Sequence, residues 1–333
     1  MISERHISIV ISNYNKAATI WKCLEAAFSS RYKNFEVIVV DDHSEDNSVE
    51  VIKKFPCKLI CLEKHAGASK ARNVGAQSSK GDIIFFTDSD CLIKEDTLSI
   101  INRTISHTGP EVIIGGTYTR MPYDKGFFNT FQSVFIHYSE TKNAENPDYI
   151  ATHAMVINTR IFKENNGFPE NFLPILEDVE FSHRLRKAGY WLVINPEIQV
   201  QHIFNFSLLR SIRNAIKKSR YWTMYSIKNR DLLADSGSSS TELKINVVSW
   251  FLTILLVILW TVLQKPSLVF PIFLIFLFNS FQSRRLLKAF YETKGIFFAG
   301  LAFIYYTMFY PLPVVTGVIM GIVNFLLKTG NPE

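Results

Sequence analysis

Apolar residues in the first part of the chain gather into short β-rich runs at 7–11, 36–40, 58–62 and 83–87. Between them lie stretches that read as helices, at 17–29, 46–55 and 68–79. This alternation predicts a parallel sheet with helices on both faces. Such a sheet binds its ligands at the carboxyl ends of its strands, so the residues just past each run are informative. Asn13, Tyr14 and Asn15 come after the first, Asp41 and Asp42 after the second, and Asp88 and Asp90 after the fourth. Three strand ends thus deliver polar groups to one edge of one sheet. Glu95 and Asp96 open a further helix, and 111–115 reads as a strand. Residues 120–150 are aromatic and irregular, and a mobile region over the site is expected there. A helix is predicted over Glu177–Lys187, with Phe181 and Leu185 facing the core and Gly189 just past its end. The strand-like run 197–201 leads into His202.

The pattern changes after Lys244. Residues 245–263, 266–283 and 295–327 contain no charge, and a spanning helix needs roughly 20 apolar residues. A soluble domain and then a membrane domain are therefore expected. No secretory signal is expected at the N-terminus, because Ser3, Glu4, Arg5 and His6 interrupt any apolar run. Residues 208–222 form an amphipathic helix, with Leu209, Ile212 and Ile216 on one stripe and Arg210, Arg213, Lys217 and Arg220 beside it. A basic face next to an apolar one, just before spanning segments, favours lying at the membrane interface. Residues 231–244 read as a polar linker. Two spans come next, joined outside by Gln264, Lys265 and Pro266, and Arg284, Arg285 and Lys288 mark the return to the cytoplasm. The last apolar run has 33 residues (295–327), which as a helix reach ~50 Å against a ~30 Å hydrocarbon core. Pro311 and Pro313 either kink it, giving three spans, or break it into a hairpin, giving four. No span carries a charge, so an ion pathway has little to work with and anchoring is the expected role.

Composition adds two points. The net charge is +6, but the basic residues concentrate at 210–230 and 284–294, beside the apolar segments. That favours anionic lipid headgroups over nucleic acid as partner. The four cysteines have no metal-ligand spacing and read as reduced thiols of a cytosolic domain.

The stretch FFTDSDCLIK (85–94) carries the sharpest chemistry. Paired carboxylates make a poor end to a buried strand if packing is their only purpose, and a good one for holding a divalent cation at a sheet edge. Blander readings stand beside the functional ones. Asp41-Asp42-His43-Ser44 also suits a turn and helix cap before Asn47. Glu177 and Asp178 also suit a helix N-terminus as favourable charges, which would keep Asp178 ionised. His202 also reads as structural, and His65 as a loop-shaping residue.

Four stretches, ISIVISNYNKAATI, FEVIVVDDHSEDNS, HAGASKARNVGAQSSKGDIIFFTDSDC and NNGFPENFLPILEDVEFSHRLRKAGY, together resemble the family 2 glycosyltransferases. These are inverting, nucleotide-sugar-dependent enzymes with the GT-A fold, and the likeness covers roughly residues 5–205. It implies that Asp42 recognises the base with Tyr14, Asn15 and Arg72 nearby, that Asp88 lies near the ribose, and that Asp90 ligates a cation (Mn2+ or Mg2+) bridging the diphosphate. It implies Asp178 as general base and aligns His202 with a histidine near metal and diphosphate. One departure matters: where processive polysaccharide synthases carry QxxRW, this chain reads Lys217-Lys218-Ser219-Arg220-Tyr221-Trp222. That counts against polymer synthesis.

The expected architecture is α/β: a GT-A (Rossmann-like) nucleotide-sugar-binding domain over 1–205, an amphipathic helix and linker over 206–244, and an α-helical transmembrane domain over 245–333. The expected function is transfer of a sugar from a nucleotide-sugar, a UDP-sugar, to a lipid-linked or envelope-glycan acceptor at the cytoplasmic face of the cell membrane. Two rivals remain at this level. One is a polyprenyl-phosphate glycosyl synthase, whose phosphate acceptor needs no strong base. The other is an idle nucleotide-binding membrane protein, against which the intact Asp42, Asp88, Asp90 and Asp178 argue.

Overall fold

A computed structural model describes residues 4–329. Contacts divide them into one unit, up to Lys125 plus Glu140–Asn205, and a second, Gly126–Ser139 plus the residues from Phe206 on.

The first unit opens with β1 (Ile7–Asn13), α1 (Ala17–Phe28), β2 (Phe35–Asp41), α2 (Ser48–Ile52), β3 (Lys58–Cys61), α3 (Ala68–Gln77) and β4 (Ile83–Asp88). These match the periodicity closely. Ile7, Ile9, Val10, Ile11 and Ile83 to Phe86 are at most 1% exposed. Parallel strands covered on both faces read as unbroken apolar runs, which is what those residues are. The sheet order is β3-β2-β1-β4-β7-β6-β8-β5, where β5 is Cys91–Ile93, β6 Ile113–Tyr118, β7 Met155–Asn158 and β8 Leu192–His202. The chain winds outward from β1 to β3 and then returns to pair β4 with the other side of β1. The switch point therefore falls between β1 and β4, where open α/β sheets place their ligands. Asn13 pairs with Asp41 and Ser12 with Asp88, so the polar strand ends lie at one level.

The sheet is mixed rather than wholly parallel. β7 runs antiparallel to β4 and β6, and β5 antiparallel to β8. Around the strands lie α4 (Thr97–Thr108), α6 (Thr159–Glu164) and α7 (Glu177–Lys187). As expected, Phe181 and Leu185 on α7 are fully buried. Phe181 packs with Phe162 and Phe168 at ring separations of 5.0–5.2 Å.

The expected mobile region at 120–150 is instead dominated by a helix, α5 (Phe127–Thr141). Phe131, Val134, Phe135 and Ile136 bury its apolar side, and Gly126–Ser139 groups with the second unit. Its aromatic residues supply helix packing, with Phe131 stacked 5.2 Å from Phe290 and edge-on to Tyr305 at 4.9 Å.

The second unit also contains α8 (Leu208–Asn229), α9 (Thr241–Leu263), α10 (Val269–Gln282), α11 (Arg284–Ile304), a π turn (Tyr305–Phe309) and α12 (Pro311–Thr329). Two stretches, Thr241–Leu263 and Arg284–Leu327, are long and apolar enough to cross a membrane, and Pro266–Gln282 is a shorter apolar helix. Lys294 and Gly295 interrupt α11 with non-helical backbone, Gly295 at φ +76°. The hairpin alternative at Pro311 is not seen. The chain runs on through the π turn, whose Tyr310 amide donates to the Tyr305 carbonyl at 2.8 Å. Pro311 and Pro313 have no N–H to place, so a local change of helical register absorbs them. Asn246 Nδ2 donates to the Tyr306 carbonyl at 2.7 Å, and Asn279 Nδ2 to Asn246 Oδ1 at 2.8 Å, which ties α9, α10 and the π turn together. α12 lies tightly on α8: a Cβ at Gly317 or Gly321 would fall 2.5 Å from the Ile216 or Arg220 carbonyl oxygen.

Candidate active site

At the end of β2 two adjacent aspartates do different work. Asp41 is buried and holds its own turn, accepting from Asn13 Nδ2 at 2.7 Å, Ser44 Oγ at 2.7 Å and the Ser44 amide at 2.9 Å. The turn reading of this stretch therefore applies to Asp41. Asp42, also buried, accepts from the Ala66 and Gly67 amides at 2.8 Å each and meets His65 Nδ1 at 2.9 Å. Gly67 adopts φ +91°, a conformation that costs glycine nothing and presents its amide to the carboxylate. His65 in turn stacks on Tyr14, with ring centroids 4.1 Å apart. Asn15 braces the facing loop: its side-chain oxygen accepts from the Glu45 and Asp46 amides at 2.8 and 3.3 Å. Asn15 thus supports the cleft wall through Glu45 and Asp46.

At the end of β4 the organising residue is Arg72, buried on α3. Its guanidinium donates to Asp88 at 2.8 Å and to Glu177 at 2.6 Å, joining the end of β4 to the start of α7. Burial alone would push the Asp88 carboxyl up, but Arg72 beside it holds it below the usual carboxylate range. Asp178 is the next residue. Its carboxylate accepts from its neighbour's amide, Val179, at 2.9 Å and from the Thr152 amide at 3.3 Å. Leu176, just before the pair, is forced to φ +77°, a conformation that costs a non-glycine residue of order 1–3 kcal/mol.

The structure overturns one expectation here. A helix N-terminus by itself would keep Asp178 ionised. Burial, reinforced by the charge of Glu177, instead pushes its pKa up to about 7. The helix end contributes at most ~2 kcal/mol even in a partly buried setting, about one and a half pKa units, and is outweighed.

Asp90 lies beside this cluster. One carboxylate oxygen meets Lys16 Nζ at 2.8 Å, and the other is 3.4 Å from His202 Nε2. Cys91 completes a group whose ligand atoms lie within 4.8 Å of one another. Burial pushes the Cys91 thiol well above its ordinary value, so it offers no thiolate. Burial pushes the His202 imidazole down, leaving it neutral, and its Nδ1 is buried with no partner among the described residues. A neutral imidazole beside a carboxylate fits a divalent cation that takes its remaining ligands from phosphate. The donor set of Asp90 and His202 therefore fits a metal, and Cys91 is not expected to join it.

One part of the site was not anticipated. His153 is buried, stacked on Tyr118 at 4.0 Å, and 3.5 Å from Glu140, which accepts from Thr117 Oγ1 at 2.7 Å. Burial favours the neutral ring, but Glu140, with Asp88 and Asp178 further off, lifts His153 above its ordinary value. The only signal in the sequence was a histidine inside the apolar run ATHAMVIN, which looks the same as a core histidine. Lys16 carries no signal either, since a lysine just before a helix has the same appearance whether or not it reaches a carboxylate.

Residues 8–165 match Glycosyl transferase family 2. This is a glycosyl transferase family 2 domain. Among relatives, the chain is 32% identical over 127 residues to glycosyltransferase GlyG of Streptococcus pneumoniae, covering 37% of this chain and 42% of GlyG. It is 40% identical over 87 residues to WfaP of Escherichia coli, a UDP-Glc:alpha-D-GlcNAc-diphosphoundecaprenol beta-1,3-glucosyltransferase, covering 25% of this chain and 35% of WfaP. The aligned stretch thus spans less than half the length of either relative. A mannosyltransferase from Pyrobaculum calidifontis, solved with GDP-Man and Mn2+, shares the fold with a TM-score of 0.59 over 98% of this chain and 88% of that one, at 17% identity. The family 2 domain of this chain keeps acidic groups at the ends of β2 and β4 and at the head of α7.

Proposed function

We propose that the chain is a membrane-anchored inverting glycosyltransferase that moves a sugar from a UDP-sugar to a lipid-linked or cell-envelope glycan acceptor at the cytoplasmic face. The observation that carries this reading is the Arg72 bridge. By tying Asp88 to Glu177, it brings the acidic end of β4 and the head of α7 together at the switch point, beside Asp90 and His202. The family 2 domain supports the reaction class, and the named donor and acceptor of WfaP support the UDP-sugar and the lipid carrier.

In this reading Asp42, Tyr14 and the His65 loop bind the base, and Asp88, fixed by Arg72, binds the ribose. Asp90 and His202 would hold a divalent cation, Mn2+ or Mg2+, which would supply positive charge against the departing diphosphate. Asp178 accepts the proton of the acceptor hydroxyl as that oxygen attacks the anomeric carbon. A single displacement inverts the centre. The domain organisation is 1–205 catalytic, with α5 contributing to the helical part, 206–244 an interface helix and linker, and 245–333 the membrane anchor.

The test is to assay the purified full chain against a panel of nucleotide sugars, measuring release of nucleoside diphosphate with and without manganese. Saturable, metal-stimulated turnover of a UDP-sugar is expected. If no nucleotide sugar is bound or consumed in either condition, the reading is wrong.

A further inference from the structure

The helical unit contains a half-open cavity of about 290 Å3 that serves none of the roles above. Its walls come from α5 (Phe135, Ile136), α8 (Ala215, Trp222), the start of α9 (Val247) and α12 (Val314), and most of them are apolar. Two cationic residues, Lys218 and Lys244, line it too. So does Gln132, which is 2% exposed and whose side-chain oxygen has no partner among the described residues. A second apolar recess, of about 610 Å3, shares Leu233, Lys244 and Val248 with the first and continues between α9 and α10. The Lys244 ammonium also donates to the Ala234 carbonyl, which fixes it at the point where the uncharged run of α9 starts.

We propose that this space holds one long-chain lipid phosphate, its phosphate at Lys218 and Lys244 near where cavity and recess meet and its single hydrocarbon chain lying along their apolar walls. Three observations select this occupant. The cavity, at about 290 Å3, lies just under the roughly 300–1,000 Å3 range of ligand sites, which favours one chain over two. The continuation past Val248 suits a chain longer than the cavity. The polar groups call for a charged ligand: apolar walls meet two ammonium groups, and the orphaned Gln132 oxygen calls for a hydrogen-bond donor. The inference rests on the lipid-linked acceptor reading only for its biological purpose; the binding itself stands apart from it.

Trp222 lines the cavity and reports on it. The full chain in detergent micelles is titrated with geranylgeranyl phosphate, and the fluorescence change of a Trp222→Phe variant is subtracted from that of the parent. A saturable signal unique to Trp222 is expected, weakened about 30-fold in Lys218→Gln/Lys244→Gln, since each lysine near a lipid phosphate is worth roughly fivefold. Geranylgeraniol, without the phosphate, should bind about as weakly to the parent. Binding of UDP and manganese by the same variant should be unchanged, which shows that it is folded. Equal binding of the alcohol, equal binding of dioleoyl phosphatidylglycerol, or no loss in the lysine variant would each overturn the proposal. A saturable site combined with transfer only to soluble glycans would support the proposal and overturn the acceptor reading alone.

Discussion

Replacing Asp178 with Asn keeps its shape and removes only its charge and basicity. The pKa of about 7 lies some three units above the ordinary ~3.9 of an aspartate, a full swing of about 4 kcal/mol. The sign comes from the raised folded value. The native state holds a proton that the unfolded chain releases, so this group's contribution is fully present below pH ~4. It declines as the pH rises through about 7. Above that the parent carries an ionised, enclosed carboxylate at a cost of up to ~4 kcal/mol, less where water reaches it. Asn has no charge to desolvate. Asp178→Asn should therefore melt a few degrees higher than the parent at pH 8, with little difference at pH 4. In the same variant, transfer to a hydroxyl acceptor should fall roughly 10²–10⁴-fold, and the rising limb near pH 7 in the parent's kcat/KM profile should vanish. Donor affinity should hold, because Asp42, Asp88 and Asp90 lie on other elements. A residue that merely caps α7 would behave in the opposite way, with ~1 kcal/mol or less of stability lost and turnover kept. Intact donor binding with near-normal turnover would refute the assignment. Glu177 would be the next candidate, and a poor one, because its carboxylate is committed to Arg72 at 2.6 Å.

Asp90→Ala should lose manganese-dependent nucleotide binding while keeping its melting temperature, since the residue closes a strand end; calorimetry showing parent-like metal and UDP binding would contradict this. Arg72→Lys cannot span Asp88 and Glu177 with one ammonium, and leaving one of these half-buried carboxylates without its partner should cost ~1–3 kcal/mol; an unchanged melting temperature would argue against the bridge. Lys16→Met should tighten manganese binding by removing the ammonium that competes for Asp90, and an unchanged or weaker manganese affinity would count against that competition. The first unit and the 284–294 segment are expected on the cytoplasmic side, so a cysteine introduced at Lys288 should resist membrane-impermeant labelling of intact cells and react once they are opened.

The parallel half of the fold was legible because its strands are buried on both faces, and 7–11 and 83–87 could hardly be anything else. β5 and β7 escaped notice because three or four residues are too few for a period to register. α5 looked irregular because its aromatic residues pack against helices that are distant in sequence, and no local pattern carries that information. The site divides in the same way. Asp42, Asp88, Asp90 and Asp178 could be named from strand ends and a helix start, and Arg72 from the resemblance. That Arg72 joins Asp88 to Glu177, and that Glu140 sits beneath His153, are facts about pairing across 105 and 13 positions. Residue type alone does not fix such pairs.

The state of Asp178 shows how pairing sets protonation. A helix start offers every acidic residue there the same small stabilisation, yet Glu177 and Asp178 end up in different conditions. Arg72 takes the Glu177 carboxylate, and Asp88 takes the other arm of the guanidinium. Among the described residues Asp178 receives two backbone amides, one of them long at 3.3 Å. Its charge is therefore the least compensated in the cleft, and burial raises it while Asp88, held by Arg72, goes down. Two carboxylates reached by the same guanidinium field are thus pushed apart, one kept ionised and one able to take a proton near neutrality. The proposed general base needs that separation: Arg72 pairs with Asp88 and Glu177 and draws Asp88 down, while burial and the Glu177 charge carry Asp178 up against the weaker pull of the same guanidinium.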